Sequence, residues 1–170
     1  MRAQGKPKTL KTGYAVDSGM ASPESLPEGT RQRLTDLRNG LLHLHKSLLD
    51  SESARYDHDI ARITSKGQLL NLVLHDPFFA WLHELSELVV QIDEILDAKE
   101  PATTADDDRL LAQARELLSP AEATGNFRKQ YLEALQRDPN VVMAHALAMK
   151  MLASLGATKS GRRTQQDETE

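Results

Sequence analysis

The stretch that decides the fold runs from His75 to Ala98 and reads HDPFFAWLHELSELVVQIDEILDA. Asp76 can cap the first turn of a helix, and Pro77 suits the first helical position, where a missing N–H costs nothing. Counting in sevens from Phe78 places only apolar residues at positions a, d and e: Phe78, Leu85, Ile92, Trp81, Leu88, Ile95, Leu82, Val89 and Leu96. This stripe predicts a long helix, Pro77 to Ala98, packed against other helices.

A second long helix is predicted from Thr30, a candidate N-cap, to about Ile63. Its apolar residues fall in one sector of the helical wheel: Leu34, Leu37, Leu41, Leu44, Leu48, Leu49, Tyr56, Ile60 and Ile63. The strict heptad fails after Leu48, so the period is nearer 3.6 than 3.5 residues. That period favours a globular bundle over an extended coiled coil.

Shorter helices are predicted around this pair. Ser65 and Gln68 have the spacing of a capping box, and the apolar helix Lys66 to Leu74 that follows is expected to lie buried between the long helices. After a loop, AKEPATTADDD, two further helices end near Leu118 and Asp138. A last helix is predicted from Pro139 to Leu155, with Gly156 as its stop.

The predicted fold class is therefore all-α. Runs rich in Val, Ile and Thr with a period of two are absent, which argues against strands. We expect a helical bundle with two long antiparallel helices and shorter C-terminal helices, formed by residues 29–156. Residues 1–28 and 157–170 are expected to be disordered tails because they show no apolar period. Lys6, Lys8 and Lys11 in the first tail are candidates for contact with an anionic partner, although charged tails are usually just solvated.

Composition narrows the function classes. The chain has 170 residues, a formal net charge of −4 and no Cys, which excludes disulfides, thiolate metal sites and cysteine nucleophiles. The acidic balance of the central part argues against nucleic-acid binding. Neither a secretory signal nor an uninterrupted run of ~20 apolar residues is present. These features predict a soluble cytoplasmic protein without a membrane span.

Catalytic signatures are absent from the sequence. There is no Gly-rich phosphate loop, no nucleophile elbow and no HExxH motif. The helical wheel does place His45 and Glu52 within the apolar sector of the first long helix, with Tyr56 one turn after Glu52. These three could form a small polar pocket or a metal site. The alternative, which the pattern favours, is an edge row whose long side chains reach water past the apolar stripe.

A bundle with inward His and carboxylate ligands would resemble the hemerythrin and ferritin-like group. His83 and Glu87 have ligand spacing, but they occupy positions f and c, opposite the apolar stripe, and a surface pair is expected there. No inward Glu-x-x-His pair occurs. The resemblance therefore covers architecture only, and we predict no cofactor from it.

A second resemblance covers about half of the chain, from Leu34 to Ile95. The runs LLHLHKSLLD (41–50) and LVLHDPFFAWLHELSELVVQIDE (72–94) resemble small uncharacterised all-helical proteins of bacteria. This resemblance implies a bacterial, soluble setting and carries no activity.

The sequence thus favours a non-enzymatic interaction or structural module, with a metal- or small-ligand-binding bundle as the alternative. Phe79 and Val90 interrupt the polar face of the Pro77 to Ala98 helix, and the last helix is apolar around most of its circumference. A single domain of this size would leave part of that surface uncovered. We therefore expect a homodimer or another protein partner at Phe79, Val90, Met143, Leu147 and Met151. Lys150 is the only cation between Pro139 and Leu155, so attraction to anionic lipid should be weak.

Overall fold

The computed structural model describes residues 28–99, 103–119 and 125–166. In chain order the elements are α1 (Glu28–Asp59), α2 (Lys66–His75), a 3-10 turn (Ala80–Leu82), α3 (His83–Asp97), α4 (Thr104–Leu118), α5 (Gly125–Arg137) and α6 (Pro139–Gln166). No strand occurs in these residues, so the predicted all-α class is confirmed. The tail predicted for residues 1–28 lies outside the described residues, except for Glu28.

The buried side of α1 is the apolar sector that the helical wheel predicts. Leucines spaced three and four residues apart fall on one side of a helix, and here five of them are fully buried: Leu34, Leu37, Leu41, Leu44 and Leu48. The predicted start at Thr30 is wrong, because α1 begins at Glu28 and Thr30 is buried inside its first turn.

The predicted end of α1 at Ile63 is also wrong. The N–H groups of Ile60 and Ala61 both donate to the Tyr56 carbonyl, which closes the last turn of the helix. Asp57 then accepts a hydrogen bond from the Ile63 N–H at 2.6 Å. These bonds turn the chain away from the helix axis, and Ile60 is left exposed.

The burial of α2 differs from the prediction, although its start does not. Ser65 Oγ accepts a hydrogen bond from the Gln68 N–H at 3.1 Å, as the capping pattern predicts. No residue of α2 is buried, and Leu70 and Leu74 are exposed. The helix packs beside the 3-10 turn at the edge of the core. The prediction that it lies enclosed between the long helices is therefore wrong, since an apolar circumference does not show which neighbours are near enough to cover it.

The helix predicted for Pro77 to Ala98 is divided. Asp76 Oδ1 accepts a hydrogen bond from the Phe78 N–H at 2.9 Å, so the predicted cap is present. The chain then makes the 3-10 turn before α3 begins at His83. Of the predicted stripe, six residues are buried: Trp81, Leu82, Leu85, Leu88, Val89 and Ile92. The other three are half-buried against them: Phe78, Ile95 and Leu96.

The start of α4 lies within the predicted loop. Thr103 Oγ1 accepts from the Asp106 N–H at 3.2 Å, and Asp106 Oδ2 accepts from the Thr103 N–H at 2.9 Å. This capping box starts the helix at Thr104. In α5, Phe127 and Tyr131 are buried, and Phe127 lies between the Trp81 and Tyr131 rings with centroid distances of 5.5 and 5.2 Å.

The last helix does not stop at Gly156, as the sequence predicts, but continues to Gln166. The glycine serves a different purpose. A Cβ at this position would lie 2.5 Å from Arg115 Nη2, the same atom that donates a hydrogen bond to the Leu152 carbonyl at 2.9 Å. Gly156 therefore makes room for an arginine of α4 against the backbone of α6. The predicted end of the last helix at Leu155 is therefore wrong, and residues 167–170 of the predicted tail lie outside the described residues.

Two sets of contacts join α1 to its neighbours. Toward α3, Arg31 donates to the Leu96 carbonyl, Arg38 pairs with Asp93, and His45 meets Ser86. Toward α6, Gly40 lies against the end of the Met151 side chain, and Arg137, just before α6, pairs with Glu52. In both sets, the residue number of the partner falls as the residue number rises along α1, although Arg137 itself is the last residue of α5.

Candidate functional site

The last helix presents two different faces, and the outer one is the candidate site. Its inner face lies in the core through Val141, Ala144, Ala148, Leu152 and Leu155. On the other side, Met143 is 66% and Leu147 is 56% exposed. We call the exposed residues Val142, Met143, Ala146, Leu147, Lys150, Ala153 and Ser154 the outer face of α6. Large exposed side chains adjoining one another on one helix mark a surface suited to another apolar surface.

Residues 139–157 of α6 carry almost no charge. Lys150 is the only charged side chain between Pro139 and Ala157. By length and composition, the segment Pro139–Ala157 is apolar enough to cross a membrane. Its mean hydropathy is 1.3, and 28% of it is buried in the fold. The expected absence of a membrane span and the cytoplasmic setting stay predictions.

The first turn of α6 is fixed by polar contacts. Asp138 Oδ1 accepts a hydrogen bond from the Asn140 N–H at 2.9 Å, and Pro139 occupies the first helical position. Just before this turn, Arg137 Nη2 lies 2.5 Å from Glu52 Oε1 and 3.3 Å from Ser51 Oγ. These bonds attach the start of α6 to α1.

Glu52 is the centre of a buried charge cluster. Its side chain is 1% exposed. While Oε1 accepts from Arg137, Oε2 accepts from Arg55 Nη2 at 2.5 Å. The Arg55 guanidinium also lies 4.3 Å from the centre of the Phe78 ring. The sequence predicts Glu52 as a metal ligand or an edge residue, but both its oxygens are already engaged by guanidinium groups, and it does not reach water.

The other two residues of the predicted pocket lie elsewhere. His45 Nε2 is 2.9 Å from Ser86 Oγ on α3, and the Tyr56 hydroxyl is 3.5 Å from Asp76 Oδ2. The structure thus gives His45, Glu52 and Tyr56 three separate sets of partners. The surface pair expected for His83 and Glu87 is also replaced, because His83 Nε2 donates to the Val73 carbonyl at 2.8 Å.

Tyr131 of α5 and His145 of α6 contact each other. The Tyr131 hydroxyl and His145 Nδ1 form a hydrogen bond of 2.7 Å, and the two rings pack edge to face. Burial raises the pKa of Tyr131 and lowers the pKa of His145 from its usual 6.5, so the neutral forms of both groups are favoured. Burial, together with nearby His83, likewise lowers the pKa of His45.

These two histidines predict a loss of stability in mild acid. A histidine whose folded pKa lies below 6.5 binds fewer protons in the folded than in the unfolded state. The free energy of unfolding should therefore be level above pH 6.5 and fall as the pH drops below it, until the folded pKa is passed. Urea denaturation at a series of pH values between ~7.5 and ~5.5 would measure this fall. The double variant His45→Gln, His145→Gln should show a flatter profile, and an equally steep one would contradict the assignment.

The predicted interaction residues divide into two groups. Val90 is 53% exposed, and Met143 and Leu147 are exposed as well, so these three are available to a partner. Phe79 is fully buried against Tyr56 and Phe78, because the 3-10 turn replaces the helix on which the wheel was drawn. Met151 is half-buried and faces Gly40 of α1. Phe79 is therefore corrected to a core position, and Met151 packs against the edge of the core.

Sequence reasoning missed the long-range ion pairs. Arg33 Nη2 lies 3.1 Å from Asp107 Oδ2, joining α1 to α4, and Asp107 is buried although it stands in a helical first turn. Sequence alone gives Asp107 an ordinary place beside a helix N-terminus. Its partner lies more than 70 positions earlier in the chain, and no local pattern connects them.

No group of three or more His, Asp or Glu side chains that could share a metal ion occurs within residues 28–99, 103–119 and 125–166. Comparisons of the chain with protein-family models, curated proteins and solved structures gave no match. The resemblance to helical proteins of bacteria and the bacterial setting stay predictions.

Proposed function

We propose that this protein is a non-enzymatic interaction module that forms a homodimer through the outer face of α6, in a soluble cytoplasmic setting. The observation that carries the proposal is the exposure of Met143 and Leu147 on a helix whose opposite side is part of the core. Covering these side chains would remove apolar surface from water, at about 25 cal/mol for each Å².

We infer that the module is an antiparallel bundle in which α1 runs opposite to both α3 and α6. The ordered contacts Arg31–Leu96 and His45–Ser86 support the first pairing. The Glu52–Arg137 pair and the Gly40–Met151 contact support the second. In this arrangement α6 is held along the length of α1, so its outer face is presented without a conformational change.

A second copy suits this face better than a charged partner. Lys150 is the only charge on it, so it offers little electrostatic complementarity to another protein. Two α6 helices crossing antiparallel about a two-fold axis near Ala146 would set Leu147 of one copy over the small Ala146 of the other. Lys150 would then lie beside Met143 of the second copy and reach water at the edge. The two like charges stay apart in this arrangement.

The size of the face sets the expected affinity. From Val142 to Ser154 the outer face is about 18 Å long at 1.5 Å per residue. A single helix pair of this length buries less than the ~800 Å² per partner of a standard interface. We therefore expect a dimer that dissociates in the micromolar range, rather than an obligate one.

Insertion of α6 across a membrane is disfavoured by its inner face. Withdrawing the helix would uncover Leu152 and Val141, and it would break the Tyr131–His145 hydrogen bond. The metal- or ligand-binding alternative gains no support from the geometry, because both Glu52 oxygens are bonded to arginines and His45 is directed to Ser86.

Sedimentation equilibrium over a range of micromolar concentrations tests the dimer. The wild-type chain should shift from monomer to dimer as concentration rises, and Leu147→Glu should stay monomeric with an unchanged circular dichroism spectrum. Val90→Glu is the matched control: Val90 is 53% and Leu147 56% exposed, but Val90 lies on α3. It should dimerise like the wild type.

The remaining outcomes each count against the proposal. A wild-type chain that is monomeric at every concentration, or a dimer that Val90→Glu breaks and Leu147→Glu does not, would overturn it. Flotation of the protein with vesicles of neutral phosphatidylcholine, lost in Leu147→Glu, would assign the face to a lipid surface instead.

A further inference from the structure

A groove between α3 and α4 has an apolar base and an acidic edge. Leu88 and Phe127 are buried and Leu117 half-buried at its base. Glu84, Glu87 and Glu116 surround them at the rim. This surface is distinct from the outer face of α6, and its occupant does not depend on the proposed dimer.

Glu84 and Glu87 repel each other, and Glu116 adds a third carboxylate to the same groove. Within the described parts of the chain, no ion pair joins Glu84, Glu87 or Glu116 to a lysine or arginine. Arg109 donates to Gln91, a residue of the groove, at 3.4 Å, and its other Nη atom lies 3.8 Å from Asp106. Partial burial and the neighbouring Glu87 charge raise the pKa of Glu84, as expected for a carboxylate without a cation beside it.

We propose that the basic N-terminal segment of this chain, residues 1–12, docks in the groove between α3 and α4. The segment reads MRAQGKPKTLKT and carries four cations, Arg2, Lys6, Lys8 and Lys11, without an acidic residue. Leu10 stands between the last two lysines, and it supplies an apolar side chain for the base of the groove while the lysines face the carboxylates. The cations and the apolar side chain of the segment therefore complement the carboxylates and the apolar base of the groove.

The length of the chain permits this docking. Residue 28 opens α1 at the end of the bundle where Arg31 donates to the Leu96 carbonyl of α3. Leu96 and Glu84 are twelve residues apart on α3, about 18 Å at 1.5 Å per residue. The chain between Lys11 and Glu28 can span about 55 Å when extended. The segment thus reaches the groove with slack, and tethering raises its effective concentration there.

The second basic run of the chain is a poorer occupant. Lys159, Arg162 and Arg163 belong to α6, whose helical backbone continues to Gln166. Since α6 packs along α1 and meets α4 on the Arg115 side, its helical backbone cannot also enter the groove as an extended segment. The N-terminal segment is therefore the occupant that the charges and the connectivity favour.

A spin label on the segment tests the proposal in the full-length protein. The chain has no Cys, so Thr9→Cys gives a single site for a nitroxide. At low ionic strength, the amide NMR signals of Gln91 and Gln113, which line the groove, should lose most of their intensity. The signal of Lys46 on α1 should keep its intensity. Near 1 M salt, where the screening length falls to about 3 Å, the groove signals should recover.

Charge variants supply the controls. Glu84→Gln, Glu87→Gln and Glu116→Gln together should abolish the loss of signal at Gln91 and Gln113. Glu94→Gln, on the same helix but outside this groove, should leave it unchanged. The proposal is overturned if the label broadens another surface, broadens none, or broadens the groove regardless of the triple substitution. A mixture of ¹⁵N-labelled wild type with unlabelled, spin-labelled chain tests docking between two copies. Loss of the Gln91 and Gln113 signals in this mixture would overturn docking within one chain and assign the groove to the segment of a second copy.

Discussion

Replacing Glu52 with Gln is expected to lower the free energy of unfolding by about 3 kcal/mol, the low end of the range for breaking a buried ion pair. The amide keeps one acceptor oxygen but turns an NH₂ group toward one of the two guanidinium groups that Glu52 now neutralises. Arg55 and Arg137 are 21% and 35% exposed, so water compensates part of the loss. Urea denaturation followed by circular dichroism measures the change, and the thermal midpoint should fall by roughly 10 °C.

Asp50→Asn is the matched control for this variant. Asp50 lies two residues away on α1 and also forms an ion pair, with Lys46 at 2.5 Å, but both side chains are mostly exposed. Exposed pairs contribute little, so the change should stay below about 0.5 kcal/mol. If Glu52→Gln were as stable as Asp50→Asn, the cluster would have no structural role.

The sequence predicts features that depend on periodicity. The leucines of α1 and the stripe from Trp81 to Ile92 are buried as predicted, because spacing alone decides which side of a helix they share. Local capping is also readable, since Ser65 and Gln68 are only three residues apart. Both kinds of feature are properties of one helix.

Features that join separate helices are not predictable in the same way. The wheel places Glu52 in the apolar sector correctly, but its partner Arg137 lies 85 positions later in the chain. The sequence predicts a helix stop at Gly156. A local pattern does not include the contact of this glycine with Arg115, which lies on another helix. The wheel puts Phe79 on the surface because it assumes a continuous helix where the chain forms a 3-10 turn.

The same limit applies to α6, since a helix that is apolar around most of its circumference does not reveal which side is inside. The structure assigns Ala148 to the core and Ala146, two residues earlier, to the surface. Two identical substitutions can test that assignment. Ala148→Glu should cost more than about 4 kcal/mol, because it places a larger side chain and an unpaired carboxylate in a packed interior.

Ala146→Glu should leave the monomer stable to within about 0.5 kcal/mol, because its carboxylate projects into water. Urea denaturation of both variants, at concentrations where the wild type is monomeric, keeps self-association out of the comparison. An Ala148→Glu chain with the wild-type spectrum and urea midpoint would show that this side of α6 does not lie in the core. The faces of α6 would then be reversed, and the surface proposed for the second copy would have to be sought around Ala148 rather than Leu147.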